Sequence, residues 1–247
     1  MAQIEPLVAE QARRNAQAKR IFLADGDVMR RPHAELFEIL TLLNHHFPRL
    51  ARVSLYANGS SILAKSDSEL EALKPLKLHT LYMGMESGDE DVLKQCAKGE
   101  TAERMVAAGQ RAQAVGLRMS VMLLLGLGGQ ACSEAHAANS ASAINRMQPR
   151  LLSTLRVIPV PGTELYDAAC SGVFQQVTEY GAVQELHALL SDLELESTVF
   201  RANHTSNIVP VEGRLPRDKD RLLEDLSRLL ESGALDETSP GPMPLSL

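Results

Sequence analysis

The sequence predicts an α/β protein built on a parallel sheet. Apolar, β-prone runs recur at RIFLA (20–24), RVSLYA (52–57), TLYMGM (80–85), LRMSVMLLLG (117–126) and LLSTLRVIPV (151–160). The intervals between them carry helical periodicity long enough for one crossover helix each. Polar or glycine-rich groups follow the runs: Asp25-Gly26-Asp27, Asn58-Gly59, Glu86-Ser87-Gly88, Gly126-Leu127-Gly128-Gly129 and Pro161-Gly162-Thr163. Continuous apolar runs imply strands buried on both faces, as in a parallel sheet covered by helices. In such folds ligands meet the C-terminal strand ends, where these groups stand. Pattern alone leaves a doubly wound sheet and a partial barrel both open.

The helices follow from local chemistry. A polar helix is expected over Ile4–Lys19, then one entered at Pro32 with Leu36, Leu40, Leu43 and Phe47 on one stripe. Ser66 and Glu69 form a capping box, and Thr101 can cap a helix closed by Gly116 in the left-handed position. Ser133 is read as the cap of a helix ending before Pro149, and 178–195 and 218–232 are amphipathic.

Composition narrows the function classes. A formal charge of -6 argues against a nucleic-acid surface, and no apolar run is long enough for a membrane span. A cytoplasmic location is expected. Cys96, Cys132 and Cys170 are far apart and form no C-x-x-C group, and the seven histidines lie on separate elements or, for His45 and His46, face different directions. No metal ligands are assigned. The carboxylates of Asp25, Asp27 and Glu86 suit an ammonium group or ribose hydroxyls, and the glycines allow close backbone approach to an amino-acid nucleoside. Each group taken singly is also an ordinary turn sequence.

The strings IFLADGD, SLYANGSSIL, LYMGMESGDEDVLKQCAKGET and RVIPVPGTELY, with the glycine-rich end of the fourth run, resemble the radical S-adenosylmethionine (radical SAM) superfamily over residues 18–235. The nearest branch is that of the coproporphyrinogen oxidase-like and elongator-like barrels. The resemblance implies a partial TIM-like (β/α) barrel with parallel strands, its first strand missing, and a helical C-terminal extension. The expected division is a barrel over 1–196, an extension packing on it over 197–235, and a disordered tail over 236–247.

The implied cofactor is S-adenosylmethionine. Asp25, Gly26 and Asp27 take the place of the family's Gly-Gly-Glu segment, with Asp where its first glycine stands. Asn58 and Glu86 stand at strand ends where such barrels place ribose or methionine contacts, Glu86 foremost, and Ser87 beside it is expected among the cofactor-binding residues. Gly126, Gly128 and Gly129 resemble the adenine-side segment, with Gln130 in place of an acid. Arg156 can pair with the SAM carboxylate or serve a buried structural partner. The family also implies a 4Fe–4S cluster held by C-x-x-x-C-x-x-C, and this chain carries no such motif. The expectation is therefore a barrel without the cluster-bearing segment, inactive alone, which in full-length form cleaves SAM reductively to a 5′-deoxyadenosyl radical. The alternative is a non-catalytic SAM- or nucleotide-binding module or partner subunit. The substrate is unknown, and the uncovered edge beside RIFLA is an expected site of self-association.

Overall fold

A computed structural model describes residues 4–243. In chain order it contains α1 (Ile4–Arg14), β1 (Arg20–Leu23), α2 (His33–His46), β2 (Arg52–Tyr56), α3 (Gly59–Leu63), α4 (Asp67–Leu73) and β3 (Leu78–Glu86). Then follow α5 (Glu90–Gln95), α6 (Ala102–Ala114), β4 (Arg118–Leu125), α7 (Gly129–Met147), β5 (Leu151–Arg156) and α8 (Glu164–Cys170). The chain closes with α9 (Glu179–Asp192), β6 (Thr198–Ala202), β7 (Val211–Leu215) and α10 (Lys219–Glu231). The strands form one sheet in the order β1 to β7. β1 and β2, β2 and β3, and β5 and β6 pair in parallel; β6 and β7 pair antiparallel, with Thr198 opposite Leu215.

All five expected strands are present within a few residues of their predicted bounds. The extension differs, because it contributes β6 and β7 before its helix. TVFRA and VEGRL are five-residue, charge-interrupted stretches with little periodic signal, and pairing with β5 and with each other makes them strands. Burial also differs from expectation. β1, β2 and β5 alternate between a more and a less buried face, and Phe22 on β1 is 40% exposed.

The chain divides into two compact units, 1–83 with 104–120, and 84–103 with 121–247. In the first, Leu36, Leu40 and Leu43 of α2 are buried, as are Val53 and Leu55 of β2 and Leu70 and Leu73 of α4. Each such leucine contributes about 1.5–3 kcal/mol of burial free energy. The Ser66 capping box is formed, with Glu69 N donating to Ser66 Oγ and Ser66 N to Glu69 Oε2. On the less buried face Phe22 stacks edge-on against Tyr56 and Tyr82, at centroid separations of 4.8 and 5.0 Å.

In the second unit, α7 packs on α9 and α9 on α10, around Ala137, Ala141, Ile144, Val183, Leu186, Leu190, Leu222 and Leu226. α7 starts at Gly129, four residues before the predicted cap, so Ser133 lies inside the helix and its hydroxyl turns to Glu185. The sequence predicts disorder from residue 236 onward. Residues 236–243 are instead docked: Glu179 N donates to Ser239 O and Tyr180 N to Asp236 O, so tail carbonyls occupy the first free amides of α9. Residues 244–247 of that expected tail lie outside the described residues. No described helix is long and apolar enough to cross a membrane.

Candidate functional site

In the first unit, the expected residues after β1 and β2 meet. Asp27 Oδ1 accepts from Asn58 N at 3.3 Å and Ser61 Oγ at 2.9 Å, and Oδ2 accepts from Asn58 Nδ2 at 3.3 Å. The Asp27 carboxylate thus ties two strand ends together, and Asn58 caps α3. Asp25 stays outside this cluster: its Oδ1 accepts from Gly26 N, and Arg31 lies 3.9 Å from Oδ2. The space beside Gly26 is open. Asp27, Asn58, Ser61 and Lys65 line a shallow depression of about 430 Å³.

In the second unit, the G-M-E-S-G string at the end of β3 is explained residue by residue. Glu86 has φ +64, a left-handed conformation that costs a non-glycine residue about 1–2 kcal/mol. Its carboxylate folds back over Gly84, where a Cβ would collide with Oε1. There it meets Lys98, whose Nζ lies 2.9 Å from Oε1, both side chains being partly exposed. Lys98 carries no mark in the sequence. The turn after α5 returns it to Glu86, with Ala97 and Gly99 at φ +51 and +70 on either side. A carboxylate beside an ammonium is the complement of a zwitterionic α-amino acid. Gly88 closes the string against α7, since a Cβ there would collide with Asn139 O.

Ser87 faces inward. Its side chain is buried, its hydroxyl lies 2.7 Å from His136 Nδ1, and it accepts from Asp89 N at 2.9 Å, so a ligand contact is not open to it. His136 Nε2 lies 3.6 Å from Glu185 Oε1, which also accepts from Gly126 N at 2.6 Å, and Ser133 Oγ donates to the other Glu185 oxygen. Burial pushes the Glu185 carboxyl up to about 7 and holds the His136 imidazole down at about 4. At 3.6 Å the His136–Glu185 contact is longer than a hydrogen bond, so the three side chains follow the order of a Ser–His–acid triad without its hydrogen-bonded connectivity. A fully buried hydroxyl is closed to substrate, however, and the chain of groups instead fixes the ends of β3 and β4.

The expected adenine-side segment is likewise committed to packing. The Gly126 amide is taken by Glu185, and a Cβ at Gly126, Gly128 or Gly129 would meet Val177, Cys132 or Gln175 at 2.7–2.9 Å. Arg156 at the end of β5 is engaged by backbone carbonyls, with Nε donating to Ser206 O at 2.7 Å. In the extension, Asn203 donates to Glu212, His204 pairs with Ser206, and Asn207 donates to Thr154 O.

The donor set suits the amino-acid end of S-adenosylmethionine through Glu86 and Lys98. It does not suit a 4Fe–4S cluster. Among the described residues no three His, Cys, Asp or Glu side chains are grouped to hold a metal. Burial raises the Cys96 thiol, which disfavours the thiolate that a cluster ligand must be.

No curated protein matches the chain in sequence. Among solved structures, Elp3 from the archaeon Methanocaldococcus infernus with its residues 1–46 deleted superposes with a TM-score of 0.60 at 17% identity, covering 92% of this chain and 57% of that one. Coproporphyrinogen III oxidase (HemN) from Escherichia coli gives 0.54 at 13% identity over 94% and 45%, and methylornithine synthase (PylB) gives 0.55 at 15% over 95% and 73%. The chain therefore spans about half the length of the first two. At these identities the likeness shows the fold, the partial (β/α) barrel expected from the sequence. The model of the radical SAM superfamily matches residues 2–136, more than half of the sequence. The chain belongs to the radical SAM superfamily.

Proposed function

We propose that this chain is the SAM-binding portion of a radical SAM enzyme, with Glu86 and Lys98 holding the amino-acid end of the cofactor. The observation that carries this reading is the ion pair of 2.9 Å at the end of β3, built on a left-handed Glu86 over a glycine. Structural ion pairs rarely require a strained backbone residue, and such strain concentrates at ligand sites. Glu86 accepts from the SAM ammonium, and Lys98 donates to its carboxylate. Ser87, His136, Glu185 and Gly126 act behind the site by fixing strand ends.

SAM supplies a sulfonium whose reductive cleavage yields methionine and a 5′-deoxyadenosyl radical, the reaction we assign to the complete enzyme. The electron donor of that reaction is a 4Fe–4S cluster, for which the described residues offer no ligand set, so no electron-transfer step is assigned to them. The same site serves a non-catalytic SAM-binding module equally well. Anaerobic iron and sulfide reconstitution with an assay for 5′-deoxyadenosine, run with a C-x-x-x-C-x-x-C segment supplied to the protein, separates the two: SAM cleavage supports the enzyme, and SAM binding without cleavage supports the binding module.

Binding is tested by calorimetric titration of the protein with SAM. Glu86→Gln and Lys98→Met are each expected to weaken SAM at least about tenfold, the worth of one charge-assisted hydrogen bond, while leaving adenosine binding unchanged. Wild-type SAM affinity in both variants refutes the assignment.

A further inference from the structure

Arg156 is a buried cation whose hydrogen bonds go to neutral groups, with the Glu179 carboxylate close enough to act on it electrostatically. It is 8% exposed, and its guanidinium donates to backbone carbonyls, Nε reaching Ser206 O. Its backbone amide donates to Ser206 Oγ. Its two terminal nitrogens meet the docked tail, Nη1 donating to Pro240 O and Nη2 to Pro242 O. Two oxygens presented side by side to Nη1 and Nη2 reproduce the end-on fork that a carboxylate offers an arginine. Carbonyls carry no charge, so they satisfy the geometry of the fork without supplying its counter-charge, and Glu179 acts on the guanidinium without a direct hydrogen bond to it.

Beside the guanidinium lies a cavity of about 230 Å³. Besides Arg156, its walls are Ile158, Pro159, Tyr166, Ala169, Cys170 and Gln176 together with the tail Pro240–Met243. It combines an apolar body with a single cationic anchor, the pattern of a small-molecule site. The tail rests on a few defined contacts. Asp236 Oδ1 accepts from Thr238 N and Ser239 N, and Gly241 holds φ +83 against the Glu179 carboxylate.

We propose that this cavity binds a small carboxylate with an apolar body on Arg156, and that the tail carbonyls of Pro240 and Pro242 occupy the anion position until the ligand displaces them. The site is independent of SAM. The tail acts as an internal competitor, so the apparent affinity equals the intrinsic affinity multiplied by the fraction of molecules with the tail released.

Gly241→Ala separates this from a purely structural tail. A Cβ at Gly241 would need a left-handed alanine and would push aside the Glu179 carboxylate 2.5 Å away, so the variant weakens tail docking while keeping the Arg156 side chain itself. The experiment is calorimetric titration of the full 247-residue protein with hexanoate and with hexan-1-ol, alongside methyl NMR of Met243, which lies 59% exposed at the cavity rim. Hexanoate is expected to bind at least about tenfold tighter than hexanol, to weaken at least about tenfold in Arg156→Gln, and to tighten about fivefold or more in Gly241→Ala. Saturating hexanoate should also move the Met243 methyl signal toward its Gly241→Ala position. Equal binding of hexanoate and hexanol, no binding of hexanoate, or unchanged or weaker hexanoate binding in Gly241→Ala overturns the proposal, even where Arg156→Gln fails to fold.

Discussion

Replacing Glu185 with Gln isolates one of two buried groups that titrate with opposite effects. Burial raises the Glu185 carboxyl from 4.5 to about 7, so its contribution to stability is full below about pH 4.5 and is lost as pH rises through about 7. The difference corresponds to on the order of 3 kcal/mol. His136 behaves in the reverse sense: its value falls from 6.5 to about 4, so its contribution is full above 6.5 and is lost as pH falls through about 4, again on the order of 3 kcal/mol. Between these limits the two slopes offset in the wild type. Glutamine keeps an acceptor for Gly126 N and a donor for Ser133 but does not titrate. Urea unfolding at a series of pH values, followed by far-UV circular dichroism, yields the stability of Glu185→Gln minus that of the wild type. That difference should rise by about 3 kcal/mol in favour of the variant between pH 4.5 and 7, because titrations common to both proteins cancel. A difference curve flat across this range would refute the buried-carboxyl assignment.

Two further outcomes follow from the β3 turn. Ser87→Ala removes the partner of His136 and of Asp89 N, and is expected to cost about 1–3 kcal/mol by leaving buried polar groups unpaired; a denaturation midpoint equal to wild type would contradict it. Gly88→Ala drives a Cβ into Asn139 O and to 2.5 Å from Ser140 Cα, backbone atoms that cannot rotate away. It should destabilise by about 3 kcal/mol or more, and a thermally unaltered variant would mean that β3 and α7 are further apart than described.

The strands that carry the site were legible because their signal is local. RIFLA, RVSLYA and the β3 and β4 runs are dense in β-prone residues, and the Ser66–Glu69 box announces α4 directly. Glu86 was legible too, standing between glycines at a strand end. Lys98 was not, since a lysine twelve positions beyond Glu86 in a charged stretch carries no mark; only the two left-handed residues around it return it to the carboxylate. Ser87, His136 and Glu185 are about fifty positions apart, and their contact is set by the packing of α7 and α9 rather than by spacing. The tail reads as disordered from its prolines and glycines, yet its carbonyls are what α9 and Arg156 lack locally.

The central claim is that Lys98 reads the carboxylate of SAM while Glu86 reads its ammonium. The most direct measurement compares SAM with decarboxylated SAM, which keeps the ammonium, the sulfonium and the adenosine but lacks the carboxylate, on the wild type and on Lys98→Met. The account predicts that the wild type prefers SAM at least about tenfold, in line with a lost charge-assisted hydrogen bond, and that Lys98→Met abolishes the preference by weakening SAM alone. Equal affinity of the wild type for the two compounds, or a preference that survives in Lys98→Met, would contradict it.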